Sequence, residues 1–205
     1  MSYATVAELA EHLGLSENVA GGRVVDSNRT ARYQLALDAA TQAIRNDTGR
    51  DFAAGTAGTA KIIPVFTSSS VLPIPDLVSA TEVKVDDDYD GTYETTLTTT
   101  DYELSSWHAN DEAWPFEIIT RLSAYWPCSP VGGRSRLVKI TGTWGWAAVP
   151  APIQQACLLL AARHLQRGNS PAGVQGVAEF GAFTIRSSDP DYWALIGPYR
   201  KPGIA

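Results

Sequence analysis

Apolar residues recur along this chain with two different periods, and the places where the period changes divide it into three parts. Thr5-Val-Ala-Glu8 sets a hydroxyl and a carboxylate three residues apart ahead of Leu9, Ala10 and Leu13 at helical spacing. This is a capping box, in which the two side chains satisfy backbone N–H groups that the first turn leaves open. It predicts a helix over about 5–14, stopped by Gly14. After a polar link through Gly21 and Gly22, the positions Tyr33, Leu37, Ala40 and Ile44 recur every three or four residues, with Arg32, Asp38, Gln42 and Arg45 on other faces. They predict an amphipathic helix over about 30–48, with Gly49 as its left-handed cap.

From about residue 60 to 146 the period becomes two, in short runs rich in Thr, Val and Ile broken by Pro, Gly, Asp and Ser, so this part is expected to be β. Residues 80–85 alternate, and the acidic turn 86–91 separates them from 92–97 in a hairpin arrangement. Residues 117–122 and 136–144 read as further strands. Pro64, Pro73 and Pro75 lack ladder donors and are expected at sheet edges or in connections.

Helical spacing returns at Pro150-Ala-Pro152 and runs over about 152–167 to Gly168. The run from Ala156 to Ala162 is apolar on nearly every face, so this helix is expected to be enclosed by its own domain or by neighbouring subunits. The tail from 169 to 205 is loop-rich, with a short strand expected over 182–186. A short helix is expected over 189–196, started by Asp189-Pro190-Asp191 and stopped by Gly197-Pro198. The pattern as a whole is α+β, read as one domain with a β insertion.

Composition narrows the function. Of 205 residues 44% are hydrophobic and 19% charged, with six Trp, eight Tyr and five Phe, which places the chain among folded proteins. Sixteen basic against 22 acidic residues give a net charge of −6, which disfavours wrapping of nucleic acid. Cys128 and Cys157 have no C-x-x-C spacing and are expected to be thiols in a reducing compartment. The longest apolar run is far short of the roughly 18 residues of a membrane span, and the first residues lack the pattern of a signal peptide. Synthesis in the cytosol is therefore expected, with the Asn28 and Asn46 sequons unused.

Candidate chemistry is sparse. Asp86-Asp-Asp-Tyr-Asp-Gly91 matches the opening of a calcium loop, but position twelve is Leu97 where a bidentate Glu is needed, so a solvated hairpin tip is expected. His12, His108 and His164 stand in no metal or catalytic spacing, and no nucleophile elbow, phosphate loop or dinucleotide fingerprint occurs. For His164 an interaction with the helix C-terminus is expected. Trp107, Trp114, Trp126, Trp144 and Trp146 crowd the β region and are expected in the core or at subunit interfaces. Arg134/Arg136 and Arg163/Arg167 read as interfacial salt-bridge partners. Two other classes remain open: a sugar-binding module using Trp107 or Trp114, and a hydrolase with dispersed residues around His108 and Asp111.

The stretch Thr141-Gly-Thr-Trp-Gly-Trp-Ala-Ala-Val-Pro-Ala-Pro-Ile-Gln-Gln-Ala, continued by Ala161-Ala-Arg-His-Leu-Gln-Arg-Gly, resembles the head-to-tail adaptor (connector) proteins of long-tailed double-stranded DNA bacteriophages, especially those infecting actinobacteria. Residues 40–52, and the closing Phe180-Gly, Ile185-Arg and Asp189-Pro-Asp-Tyr-Trp, are similar to other parts of that family. The resemblance implies an antiparallel helical core with an inserted antiparallel β region and an extended C-terminal arm over about 169–205. It implies a structural virion protein with no catalytic, metal or cofactor residues. Such a protein forms a ring, typically of twelve, under the portal protein, through which packaged DNA passes without sequence-specific binding, and it receives a downstream neck or tail protein. On this resemblance Ile153, Cys157, Leu159, Leu160, Trp144 and Trp146 are candidate subunit-interface residues. Phe183, Ile185, Tyr192, Trp193, Leu195 and Tyr199 are candidates for docking to the portal. No membrane association is expected.

Overall fold

The computed structural model describes residues 2–14, 27–108, 114–128, 136–169, 174–177, 181–184 and 189–201. The architecture is α+β, and the chain divides into two compact units. One joins Met1–Phe52 to Val149–Ala205, and the other is Ala53–Ala148. The period-two region thus forms a unit of its own, with its own apolar core.

The helical unit holds α1 (Val6–His12), α2 (Ser27–Thr48), α3 (Ala151–Asn169) and α4 (Pro190–Ile196). The expected capping box starts α1: the Glu8 N–H donates to Thr5 Oγ1, and the Thr5 N–H donates to Glu8 Oε2 at 2.7 Å. α2 begins ahead of its apolar stripe, and Leu37, Ala40 and Ile44 are fully buried at helical spacing. Gly49 closes it at φ 68°, where a side chain would be strained, with its N–H donating to Arg45 O. Ile153, Ala156, Cys157 and Ala161 of α3 are fully buried, whereas Leu159 and Leu160 are half-buried, so the helix is less enclosed than its composition implied.

Tyr3 anchors the entry of the chain. Its N–H donates to Thr41 Oγ1, its hydroxyl accepts from the Phe52 N–H and donates to Asp51, and its ring meets Phe52 edge-on at 5.7 Å.

The C-terminal stretch departs from the extended arm that the resemblance implied. β7 (Val174–Val177) and β8 (Gly181–Thr184) form an antiparallel pair; β8 overlaps the strand expected over 182–186, and β7 was not foreseen. Residues 189–201 fold back onto the helical unit. Tyr192 and Ile196 are buried, at the i, i+4 spacing of one helical face. Beyond the 3₁₀ turn Gly197–Tyr199, the Tyr199 ring meets Phe52 edge-on, Arg50 Nε donates to Tyr199 O at 2.8 Å, and the Lys201 N–H donates to Thr48 O.

The second unit is a six-stranded antiparallel sheet in the order β1-β6-β2-β5-β4, with β3 also paired to β2. Its strands are β1 (Thr59–Pro64), β2 (Val71–Val85), β3 (Thr95–Leu97), β4 (Tyr102–Ser105), β5 (Phe116–Arg121) and β6 (Arg136–Trp144). The expected hairpin joins β2 to β3, with Val83 opposite Leu97. Pro64 ends the edge strand β1, as expected, but Pro73 and Pro75 lie in the central strand β2. The sheet tolerates them because β6 joins β2 only from Leu77, so the proline half pairs with β5 alone and is locally an edge. A register shift between Pro73 and Leu77 absorbs the missing donors. Gly142 of β6 sits between Thr59 and Ala80, where a Cβ would fall 2.1 Å from Ser79 O, so only glycine permits this close approach. Leu77, Val83, Ile119, Leu137 and Ile140 are fully buried in the core.

Candidate docking surfaces

In the helical unit, Ala43 and Asp47 of α2, Leu160, Arg163 and His164 of α3, and Asp189, Tyr192 and Trp193 at the start of α4 surround a cavity of about 200 Å³. Its wall is ordered by polar contacts. The Tyr192 hydroxyl donates to Asp47 Oδ2 at 2.7 Å, and Arg163 Nη1 lies 3.7 Å from Asp189 Oδ2. Burial, and then the Asp47 hydrogen bond and charge, push the Tyr192 hydroxyl well above its usual pKa, so it is a neutral donor at physiological pH. Trp193 meets the Tyr192 ring edge-on at 5.4 Å and keeps 38% of its surface exposed, with the Arg200 guanidinium 5.9 Å from its centroid.

Burial of the His164 ring, together with Arg167 and Arg163, holds its pKa below the usual value. Desolvation first, and then the two arginines, disfavour the charged form that an interaction with the helix C-terminus would use. The cavity combines an apolar floor of Ala43, Leu160 and Trp193 with polar groups of both signs, Asp47 and Asp189 beside Arg163 and His164.

The candidates therefore separate. Leu160, Tyr192 and Trp193 come together at this socket. Leu159 and Leu195 are half-buried nearby in sequence, and Tyr199 is half-buried against Phe52. Ile153 and Cys157 are fully buried, and Trp144 and Trp146 are each 3% exposed, so these four present almost no side-chain surface to a neighbouring subunit. Their apolar character serves their own units. The Cys157 thiol lies 3.6 Å from Thr41 Oγ1, and burial pushes its pKa up. Trp144 Nε1 donates to Thr59 O, and Trp146 Nε1 donates to Asp76 Oδ2. Phe183 pairs with Gln175 through the backbone of β8, and Ile185 lies outside the described residues. Asp47 was not anticipated. An acid in the last turn of a helix opposes the macrodipole, and that conflict was the available signal.

The acidic turn of the β unit is more structured than a solvated tip. Asp86 is fully buried, accepting from the Tyr89 N–H through Oδ1 and the Gly91 N–H through Oδ2, while Asp87, Asp88, Asp90 and Glu94 are exposed. Carboxylate oxygens of Asp86, Asp88 and Glu94 lie within 4.8 Å of one another, but both Asp86 oxygens already hold backbone donors, and Leu97 faces the core. Trp126 is buried, and Trp107 is 65% exposed. Trp114 is stacked on His108 at 3.6 Å and tilted against Trp146 at 5.0 Å, so its face is no sugar platform. His108 Nδ1 stands 3.9 Å from the buried Glu117 Oε2, beyond hydrogen-bond distance. Asp111 and Arg134 lie outside the described residues, and Arg136 pairs with Pro64 through its backbone. Among the described residues no helix is long and apolar enough to cross a membrane.

No family model and no curated protein matches the sequence. Two solved structures share its fold over nearly its whole length. A chain from the neck of an empty gene transfer agent particle, computed with C6 symmetry, is 26% identical with a TM-score of 0.58, covering 98% of this chain and 90% of that one. A chain from the virion of a native gene transfer agent particle is 24% identical with a TM-score of 0.53 over the same shares. These likenesses support a structural protein of a phage-like neck.

Proposed function

We propose that this chain is a head-to-tail adaptor. A ring of about twelve copies seats beneath the portal protein of a packaged head, lengthens the DNA channel and presents a platform to the next neck or tail protein. The observation that carries this reading is the 26% identity over 98% of the chain to a protein resident in a gene transfer agent neck averaged with six-fold symmetry, with which a ring of twelve is compatible. The net charge of −6 suits a channel through which DNA slides without sequence-specific binding, because few cations means little counterion release. No cofactor or metal is required. The protein acts in the virion at the head-tail interface after assembly in the host cytoplasm.

The half-buried Leu159 and Leu160 remain candidates for the contact between subunits, and Trp193 and Leu195 for the contact with the portal. The test is co-sedimentation of the purified protein with DNA-filled, portal-bearing heads. Binding of about twelve copies per head is expected. Binding only to heads that already carry another neck ring would identify a stopper or tail terminator instead.

A further inference from the structure

The two ends of the chain meet at one residue. Phe52 is fully buried, and it is the last residue of the helical unit before the β unit begins at Ala53. Tyr3, near the N-terminal end, meets its ring edge-on at 5.7 Å and 82°, and Tyr199, near the C-terminal end, meets it edge-on at 5.8 Å and 81°. Hydrogen bonds fix the backbone around this contact from both sides. The Phe52 N–H donates to the Tyr3 hydroxyl at 3.1 Å, which Arg45 Nε and Asp51 Oδ1 hold in place. Arg50 Nε donates to Tyr199 O at 2.8 Å, and the Lys201 N–H donates to Thr48 O at 2.9 Å. Thr48, Arg50 and Phe52 are all buried, so one short packed stretch serves both ends.

We propose that Phe52 couples the two ends of the chain, so that lifting residues 189–201 loosens the seat of Tyr3. The C-terminal segment is the element with two states, seated or lifted. Beyond α4 its residues Gly197, Pro198, Arg200 and Lys201 are exposed and Tyr199 is half-buried, and segments held by so little buried surface open locally ahead of the core. When the segment lifts, Phe52 loses one of its two edge-on partners and residues 48–50 lose the hydrogen bonds to Tyr199 and Lys201. The backbone N–H that the Tyr3 hydroxyl accepts is then less firmly placed. Linkage makes the effect reciprocal: weakening Tyr3 weakens the seat of the C-terminal segment by the same factor. The coupling stands on the packing of the helical unit alone, and only its use rests on the adaptor reading. A portal that takes up residues 189–201 would thereby loosen the N-terminal end and the last residue before the β unit.

Amide hydrogen exchange of the full chain, resolved by NMR at neutral pH, reads both ends at once. Tyr199→Ala removes the C-terminal ring. The Lys201 N–H reports its own seat, while the Phe52 N–H and the Tyr3 N–H, which donates to Thr41 Oγ1, report the other end. All three are expected to exchange roughly three- to tenfold faster, the range that one edge-on aromatic contact supports. The Gly55 N–H, bonded to Trp144 O in the β unit, is expected not to change. Tyr3→Phe deletes only the hydroxyl and is expected to speed exchange of the Lys201 N–H. In the double variant that exchange is expected to fall short of the product of the two single effects, because the support each loses through Phe52 is already gone. Tyr199→Ala that speeds Lys201 and leaves Phe52 and Tyr3 as in the wild type overturns the coupling, and so does a double variant whose effects multiply. If Tyr199→Ala speeds the buried amides of Leu37 and Ala40 equally, the whole unit has opened, and Tyr199→Leu, which keeps apolar bulk without the ring, decides by the same amides. These outcomes involve no ring and no portal, so this inference and the adaptor reading fail separately.

Discussion

Tyr192→Phe tests whether residues 189–201 belong to the helical unit or form an arm held ready for a partner. The substitution keeps the ring, which stays packed edge-on to Trp193, and deletes only the hydroxyl that donates to Asp47 at 2.7 Å. A hydrogen bond to a charged acceptor contributes about 1.5–3 kcal/mol. Asp47 is half-buried and water can solvate it once the donor is gone, which places the loss near the lower end, at about 1.5 kcal/mol. Since about 1.4 kcal/mol is a factor of ten, the open population of α4 should rise roughly tenfold.

Hydrogen exchange reads this directly. The Trp193 N–H, bonded to Asp189 O at 3.2 Å, and the Lys201 N–H, bonded to Thr48 O, should exchange about tenfold faster, and amides of β6 should not change. The pH dependence has a fixed sign. Burial and then Asp47 raise the Tyr192 pKa, so the folded state holds this proton more tightly than the unfolded state. Its contribution is complete below the unfolded value of about 10 and is lost as pH rises through the higher folded value, so the wild-type segment should loosen above about pH 10. The Phe variant should lose that alkaline step. Equal exchange in the two proteins at neutral pH would refute the reasoning, since the hydroxyl would then hold nothing in place.

Three further outcomes follow from burial and close contact. Gly142→Ala should destabilise the β unit by about 2–3 kcal/mol, because its Cβ would meet Ser79 O at 2.1 Å; a melting shift of about 10–20 °C is expected. Gly58→Ala, at φ 73° with no atom within 4 Å of its Cβ, serves as the milder control, and equal shifts for the two would show that the β6–β2 register is misplaced. Cys128, half-exposed, should react with a thiol reagent in the native protein, whereas Cys157, buried and with its pKa pushed up, should react only on unfolding; mass spectrometry after brief labelling separates them. Truncation after Ser187 removes the buried Tyr192 and Ile196 and should destabilise the helical unit by several kcal/mol. A truncated protein that melts like the full chain would show that this segment adds nothing to the core.

Local signals in the sequence are legible where a single turn decides the structure. The Thr5/Glu8 box, the Gly49 cap and the Asp189 start are each set by one or two side chains meeting nearby backbone groups, and they stand as read. The strands at 116–121 and 136–144 are also plain, since alternation there coincides with one buried face. What long-range pairing decides was less legible. Pro73 and Pro75 sit in the central strand because β6 starts late, a fact about register that no local pattern carries. The arm was misread for the same reason. The resemblance implied an extended arm, but Tyr199 finds Phe52 and Tyr192 finds Asp47, partners nearly 150 positions away in sequence. Of the candidate site, the apolar members Leu160, Tyr192 and Trp193 were visible as residues, while their convergence with Asp47 and Arg163 emerged only from the packing of α2, α3 and α4.

The central claim is that copies of this chain build a ring at the neck of a phage-like particle. Two-dimensional averaging of the protein bound to DNA-filled, portal-bearing heads tests it most directly. The account predicts a closed ring of about twelve subunits coaxial with the portal. Protein bound as scattered monomers, or a ring found away from the portal axis, would contradict it.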